Sequence, residues 1–245
     1  MNRVGQALRE NRTAQIVEIV LVFLVAFAVV AVGWGVVGVN PLARQGVVWV
    51  ANVAMLTMIW IGLRLRGQGW AYFGLRLRFS GWLSVLRTVG QSLAVLVFAL
   101  IAFVAGSVVG VNLAGAQQAA DMSGYDYLQG NLPMLLLALA AVYVVSSFGE
   151  EVIYRGFLIN RIAEMGHGAR AAWTTAVAIS AVVFGLIHFD WGLTGVIQTT
   201  FMGLALAVSY LATKRNLWPL VLAHAYLDTM LLVQVYVGQP GPGSG

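Results

Sequence analysis

The sequence predicts an all-α fold, a polytopic membrane bundle of about seven transmembrane helices, on three observations. Of its 245 residues, 60% are hydrophobic and only 9% are charged, against about 25% charged residues in a soluble domain. The mean hydropathy is +0.85. The apolar residues fall into seven runs, each close to the ~20 residues that a bilayer requires. Because backbone polar groups find no water in lipid, all seven runs are expected to be helices.

Composition also excludes several classes of site and partner. The chain has no cysteine, which excludes disulfides, thiol nucleophiles and thiolate metal sites. Its 14 basic and 9 acidic residues give a net charge of +5. Such a balance could indicate nucleic acid, but most basic side chains lie in short loops between apolar runs. The pattern instead indicates membrane topology, with lipid rather than nucleic acid as the partner.

The first three runs are 15–38, 46–63 and 82–111. The first exceeds the 7–15-residue core of a cleavable signal peptide, and many spans follow it, which predicts a retained helix. Glu18 lies in its first turn, where we expect it to reach water. The third run is long enough to tilt or to contain a break, and Gly106 and Gly110 are the candidates for it. A break there would make room for an eighth span.

The other four runs are 132–154, 170–188, 192–212 and 216–238. Three arginines precede the first run, and the connections after the second, fourth and sixth runs also carry basic residues: Arg64, Arg66, Arg76, Arg78, Arg161, Arg170, Lys214 and Arg215. The opposite connections hold only Arg44. The positive-inside rule therefore predicts a cytoplasmic N-terminus. We expect an integral, multi-pass protein of the plasma (cell) membrane.

Three regions follow from this layout. Residues 1–129 form an N-terminal set of helices, 130–238 a helical core with the candidate site, and 239–245 a tail whose composition predicts disorder. Within the first region, 64–80 (RLRGQGWAYFGLRLRFS) alternates arginines with aromatic residues. This pattern predicts a segment lying along the cytoplasmic membrane surface, and a solvated loop is the alternative.

Ionisable residues in or beside the last apolar runs point to function, because a charge at mid-membrane costs at least ~2.5–3.5 kcal/mol on insertion scales. In EEVIYR, Glu151 and Arg155 are four residues apart in the order that favours a helical ion pair. Glu150 points about 100° away from that pair and lacks a partner. We therefore expect Glu150 to be functional and Glu151 to be structural.

Histidines supply the second and third clusters. His188 ends the run FGLIH, and His224 and Asp228 project from one side of the last helix in HAYLD. A carboxylate in a low-dielectric cavity can take a proton from water, and a histidine can orient that water or bind a metal. A second histidine can stabilise an oxyanion. Two histidines and a glutamate also match the ligand count of catalytic zinc. Another reading has Asp228 only fixing the His224 tautomer.

The three motifs, in this order, resemble those of the CPBP (Abi) family of intramembrane proteases, which includes the type II CAAX prenyl endopeptidases. EEVIYR is similar to EExxxR, FGLIH to FxxxH and HAYLD to HxxxN/D. The resemblance covers about 130–235, and the N-terminal half is only loosely similar. One departure matters: Asp228 stands where the prenyl endopeptidases have asparagine. Because a carboxylate repels an oxyanion unless protonated or paired, Asp228 favours metal binding or orientation of His224.

The resemblance implies CAAX-type hydrolysis of a peptide bond in a membrane-associated or lipid-modified protein, within a cavity open to the cytoplasm. It implies that Glu150 is the general base and His188 its partner on the water. His224 and Asp228 would stabilise the oxyanion, or Glu150, His188 and His224 would bind zinc. Glu151 and Arg155 would be supporting residues.

Two other functions stay open. The same groups could form the proton relay of a transporter, although no internal repeat is visible. The protein could also be a non-catalytic peptide-immunity or scaffold protein. For Glu150 and His188 to meet, the fourth helix must continue to about Arg161, and the fifth is expected to continue past Phe189.

Overall fold

The computed structural model describes residues 3–76, 81–114 and 123–238. This part of the chain contains eight helices and no strand: α1 (Arg3–Glu10), α2 (Arg12–Val37), α3 (Pro41–Leu65), α4 (Trp82–Ala114), α5 (Leu132–Met165), α6 (Arg170–Leu186), α7 (Gly192–Ala212) and α8 (Trp218–Val237). Single 3-10 turns occur at Trp70–Phe73, Ser123–Leu128 and Phe189–Trp191. The predicted all-α class is confirmed. The predicted tail, 239–245, lies outside the described residues.

Helices α2 to α8 correspond one to one to the seven predicted spans. Among the described residues, six of them are long and apolar enough to cross a membrane. The exception is α6, which has 17 residues and is about 26 Å long at 1.5 Å per residue. Three helices begin at an asparagine whose side chain accepts a hydrogen bond from a backbone N–H three residues later: Asn11, Asn40 and Asn131. This N-cap explains why α2, α3 and α5 start where they do.

Helix α4 is one unbroken helix of 33 residues, so of the two alternatives for this run the break is wrong, and no eighth span arises from it. Its glycines serve packing. A Cβ added to Gly106 would lie 2.9 Å from the Gln198 Cα, and one on Gly110 would lie 2.8 Å from the Thr194 Cγ2. Small residues let two membrane helices approach along their backbones. The glycines therefore seat α4 directly on α7.

The two ends of the bundle differ in charge. One end holds α1, Arg66, Arg170 and Arg215 and is called the arginine-rich end. The other end holds residues 38–40, 123–131 and 187–191 and is called the arginine-poor end. Contacts within each end confirm the grouping, since Arg12 lies 3.3 Å from His167 and Tyr125 donates to Gln45 at 3.4 Å.

Buried ion pairs tie the arginine-rich end together. The Arg66 guanidinium donates to Glu18, whose side chain is only 10% exposed. Arg161 is fully buried, lies 3.6 Å from Glu18, and donates to Glu164 at 2.9 Å. The expectation that Glu18 merely reaches water is therefore wrong. The expectation considered only the position of Glu18 in the first turn of the first apolar run, whereas its partners come from the α3 end and from α5.

The surface segment predicted at 64–80 turns partly inward. Arg66 and Phe73 are fully buried in the protein, so these two side chains do not lie against lipid. The Tyr72 hydroxyl donates to Glu164. Burial, followed by that hydrogen bond, raises the pKa of Tyr72 to about 12. Residues 77–80 lie outside the described residues, and the surface location of the rest stays a prediction.

Candidate active site

Helix α5 departs from α geometry on both sides of Glu150. A π-helix covers Tyr143–Phe148, and a second covers Glu151–Leu158. π-Helical segments are rare overall, but a large share of them lie at functional sites. Their wider turn changes where successive side chains point. The helix runs on to Met165, which confirms that it continues through Arg161. Glu150 therefore lies well inside the bundle, about 22 Å along the helix from Met165.

Glu151 is a fully buried acceptor for two partners. Its Oε1 accepts from Arg155 Nη1 at 2.8 Å and lies 2.9 Å from His224 Nδ1. The predicted Glu151–Arg155 pair is thus present. Arg155 also donates to the Gly203 carbonyl at 3.3 Å, and its guanidinium carbon lies 4.3 Å from the Phe184 ring centroid. The pair connects α5 to α6, α7 and α8.

The same contact orients His224. Because the Glu151 carboxylate only accepts, the Nδ1 of His224 carries a proton and the Nε2 faces Glu150 and Asp228. The alternative in which Asp228 fixes the tautomer is wrong, since the nearest oxygen of Asp228 lies 3.9 Å from Nε2. The spacing within HAYLD suggested that role because both residues share a helix face. The actual partner comes from another helix, 73 residues away.

Glu150 and Asp228 each have a serine partner. Ser146 Oγ donates to Glu150 at 3.2 Å, and the buried Ser147 Oγ donates to Asp228 at 2.6 Å. Both carboxylates lie 3.9 Å from His224 Nε2. Sequence reasoning missed both serines. The four-residue spacing from Ser146 to Glu150 was a visible signal, whereas Ser147 reaches a different helix.

His188 lies in the turn after α6, because that helix ends at Leu186. The expectation that it continues past Phe189 is wrong: the chain forms a 3-10 turn, and Gly192 follows with a φ of 69°. The His188 Nδ1 lies 2.8 Å from the Phe184 carbonyl, so it donates and leaves Nε2 free. The Phe184 ring lies 5.0 Å from the His188 ring and 6.2 Å from the His224 ring.

A single cavity of about 460 Å³ brings the predicted catalytic residues together. Its lining includes Glu150 from α5, His188 from the turn after α6, and both His224 and Asp228 from α8. Glu151 and Arg155 lie behind this lining and do not reach it. Three distant stretches of sequence thus converge on one polar site, with the two expected supporting residues positioned to hold it.

The predicted zinc ligands do not form a metal centre in the described part of the chain. Within it, no three His, Asp or Glu side chains are arranged so that they could hold one ion. Of the two ring nitrogens of His224, Nδ1 is occupied by Glu151. The donor arrangement therefore does not fit zinc as the residues stand, and zinc stays an untested prediction.

The comparisons with known proteins point to one family. Residues 132–230 match the family model described as type II CAAX prenyl endopeptidase Rce1-like. The matched stretch runs from the start of α5 into α8 and contains all three motifs. The chain has no match among the curated proteins or the solved structures compared with it. The family match supports assignment to the CPBP/CAAX proteases and, in general terms, an intramembrane protease activity.

Proposed function

We propose that the protein is an intramembrane endopeptidase in which Glu150 activates a water molecule to cleave a peptide bond. The observation that carries the proposal is the placement of Glu150, His188, His224 and Asp228 on one cavity inside an apolar bundle. A carboxylate and two imidazoles in a water-accessible cavity supply a base, a water-orienting group and an oxyanion donor. The match of 132–230 to a protease family supports the same conclusion.

In the first step, Glu150 takes a proton from water while the free Nε2 of His188 holds that water. The water oxygen forms a bond to the carbonyl carbon of the substrate, and the carbonyl oxygen becomes an oxyanion. In its doubly protonated form, His224 donates from Nε2 to that oxygen. Glu151 on the opposite ring nitrogen keeps the imidazole in position.

In the second step, the Glu150 carboxyl returns the proton to the amide nitrogen. The C–N bond then breaks and yields an amine and a carboxylic acid, which loses its proton to water. Asp228 is compatible with this chemistry because Ser147 donates to it and because it lies beside His224. Its charge is thereby compensated. Glu151 and Arg155 are positioning residues in this scheme, since neither reaches the cavity.

The direct test is cleavage of a peptide in reconstituted vesicles. Glu150→Gln and His188→Ala are each expected to lower kcat/KM by about 10²–10⁴-fold, the usual contribution of a general base or its partner. Both variants should still insert and purify as wild type does. Glu10→Gln is the matched control, because that carboxylate is exposed on α1. Full activity in both site variants would refute the assigned roles.

The same preparation separates the alternatives. A glutamate mechanism predicts that cleavage persists after treatment with a strong zinc chelator and that purified protein lacks stoichiometric zinc. Loss of cleavage with the chelator, restored by added zinc, would favour the metal mechanism. Proton flux without cleavage would favour a transporter, and peptide binding without cleavage a scaffold or immunity protein.

A further inference from the structure

A second cavity lies between α6 and α7 at the arginine-rich end, and we call it the α6–α7 groove. It is an open groove of about 770 Å³, within the roughly 300–1,000 Å³ that ligand sites span. It shares no lining residue with the cavity that holds Glu150. Peptide-bond cleavage at Glu150 therefore gives this groove no role.

Three basic side chains line the outer end of the α6–α7 groove. Arg170 comes from the start of α6, and Lys214 and Arg215 come from the turn after α7. Among the described residues that line the groove, none is acidic. Arg170 and Lys214 are exposed, and neither forms an ion pair with a carboxylate in the described ranges, whereas the arginines buried in the bundle are each paired with a glutamate. Unpaired like charges gathered in one place repel one another, so this end of the groove favours an anion.

Arg215 is held in the groove by two contacts. Its Nη1 donates to Asn160 Oδ1 at 3.0 Å, and its guanidinium carbon lies 5.4 Å from the Trp173 ring centroid. The turn that carries Lys214 and Arg215 is also held, since their φ angles are 56° and 61° and the Arg215 N–H donates to the Tyr210 carbonyl at 2.7 Å. Glycine usually occupies the left-handed position after a helix, because a side chain there is strained. Here two cations occupy such positions, which presents their charge at a set place on the groove.

The inner part of the groove is apolar. Val177 lies seven residues into α6, about 10 Å along the helix from Arg170, and Val208 and Leu211 line the α7 side. Cations at the ends of two membrane helices, with apolar walls about 10 Å deeper, match a molecule that has an anionic head and a hydrocarbon chain. Inorganic phosphate would contact only the cations and leave the apolar walls bare.

We propose that the α6–α7 groove binds an anionic phospholipid from the surrounding bilayer. Its phosphate lies between Arg170, Lys214 and Arg215, and one acyl chain follows Val177 and Val208 inward. Basic pockets between transmembrane helices hold acidic lipid headgroups in other membrane proteins. Binding of this lipid requires no catalysis, so its test stands apart from that of the protease activity.

The fluorescence of Trp173 reports occupancy of the groove. The protein is reconstituted in phosphatidylcholine vesicles with a rising fraction of either phosphatidylglycerol or phosphatidylcholine that carries brominated acyl chains, because bromine quenches a tryptophan in contact with it. The Trp173 signal is the difference between wild type and Trp173→Phe, which keeps a ring beside Arg215. We expect half-maximal quenching at a mole fraction of brominated phosphatidylglycerol at least about tenfold lower than that of brominated phosphatidylcholine. Equal quenching by the two lipids would overturn the proposal.

Substitutions separate a site from general surface charge. A basic residue beside anionic lipid strengthens binding about fivefold, so Arg170→Gln and Lys214→Gln should each raise the half-maximal fraction of phosphatidylglycerol by about that factor. Arg64→Gln is the matched control, because Arg64 is exposed at the same end but does not line the groove. An equal effect of Arg64→Gln would overturn the site and leave only diffuse attraction of lipid to the surface.

Two further measurements keep the test independent of the tryptophan. Native mass spectrometry of protein released from the same vesicles should find at least one phosphatidylglycerol fewer on the double variant Arg170→Gln, Lys214→Gln than on Arg64→Gln, and an equal number would overturn the proposal. Inorganic phosphate added at constant ionic strength should leave lipid binding unchanged. Full displacement of the lipid by phosphate would refute the lipid assignment and make the groove a site for soluble phosphate compounds.

Discussion

The buried contact between Glu151 and Arg155 gives the sharpest stability prediction. Both side chains are fully buried, and their charged atoms lie 2.8 Å apart. Arg155→Met leaves the Glu151 charge without its cation, and Glu151→Gln leaves the Arg155 charge without its anion. Breaking a buried pair in this way costs about 3–5 kcal/mol. That is a large part of a folding free energy of about 5–15 kcal/mol.

The double variant removes both charges, so its cost should be lower than the sum of the two single costs. Residues in direct contact couple by about 0.5–3 kcal/mol, and we expect about 2–3 kcal/mol here. Methionine keeps an apolar stem beside the Phe184 ring, and glutamine keeps an oxygen for His224 Nδ1. The difference therefore reports the charge pair rather than lost volume.

The free energy of unfolding can be measured by denaturing-detergent titration in mixed micelles, followed by the fluorescence of the eight tryptophans. Gln6 and Glu10 on α1 provide the matched control, since they also lie four apart and are bonded at 3.2 Å, but they are exposed. Gln6→Met, Glu10→Gln and their double variant should each cost close to zero. If the Glu151 and Arg155 costs add within about 0.5 kcal/mol, the two groups are uncoupled and the reasoning fails.

Three further predictions test other parts of the structure. Gly106→Ala should lower the free energy of unfolding by about 1–3 kcal/mol, because the added Cβ meets the α7 backbone. Gly90→Ala is the control: its Cβ would enter open space, so this change should be neutral or stabilising. Equal effects of the two changes in the same titration would contradict the packing account. Deleting Val145 should return the first π segment to α geometry and leave Glu150 on its present face, because a π turn holds one residue more than an α turn. Cleavage should therefore be retained, and loss of cleavage in protein that still inserts would disprove it. The pKa of Tyr72 is raised to about 12, so the folded state keeps the phenol proton at pH values where the unfolded state loses it. The free energy of unfolding should therefore fall as pH rises from about 10 to about 12. If Tyr72→Phe shows the same fall with pH, another group is responsible.

Hydropathy and loop charge were sufficient to predict most of the fold. The seven apolar runs became helices, and the continuation of α5 through Arg161 followed from the apolar residues beyond Arg155. A break was one alternative for α4, because a glycine weakens a helix locally. The structure has none, and the missing side chain instead lets α7 pack closely against α4. That benefit depends on a neighbour that no local pattern reveals. The π geometry around Glu150 was also unforeseen, since it leaves little trace in apolar spacing.

The sequence predicted which residues line the candidate site more completely than it predicted which of them are in contact. Ionisable residues in lipid are expensive, so their presence singled out Glu150, His188, His224 and Asp228, and the structure places all four on one cavity. Which of them touch depends on how three helices are rotated. For that reason the partner of His224 proved to be Glu151 and not Asp228. Four expectations stay predictions: the orientation of the bundle in the membrane, its location in the plasma membrane, the boundary between regions at 129–130, and the zinc ion.

The ion pairs of Glu18 bear on how the chain is assembled. Its partners Arg66 and Arg161 are made 48 and 143 residues later, so α2 enters the membrane during synthesis with an uncompensated acid. Arg66 can pair with Glu18 once α3 has been made, whereas the second partner, Arg161, arrives only with α5. Nascent chains stopped before residue 132 should therefore be cleared by membrane quality-control proteases faster than chains stopped after 170, and Glu18→Gln should narrow that difference.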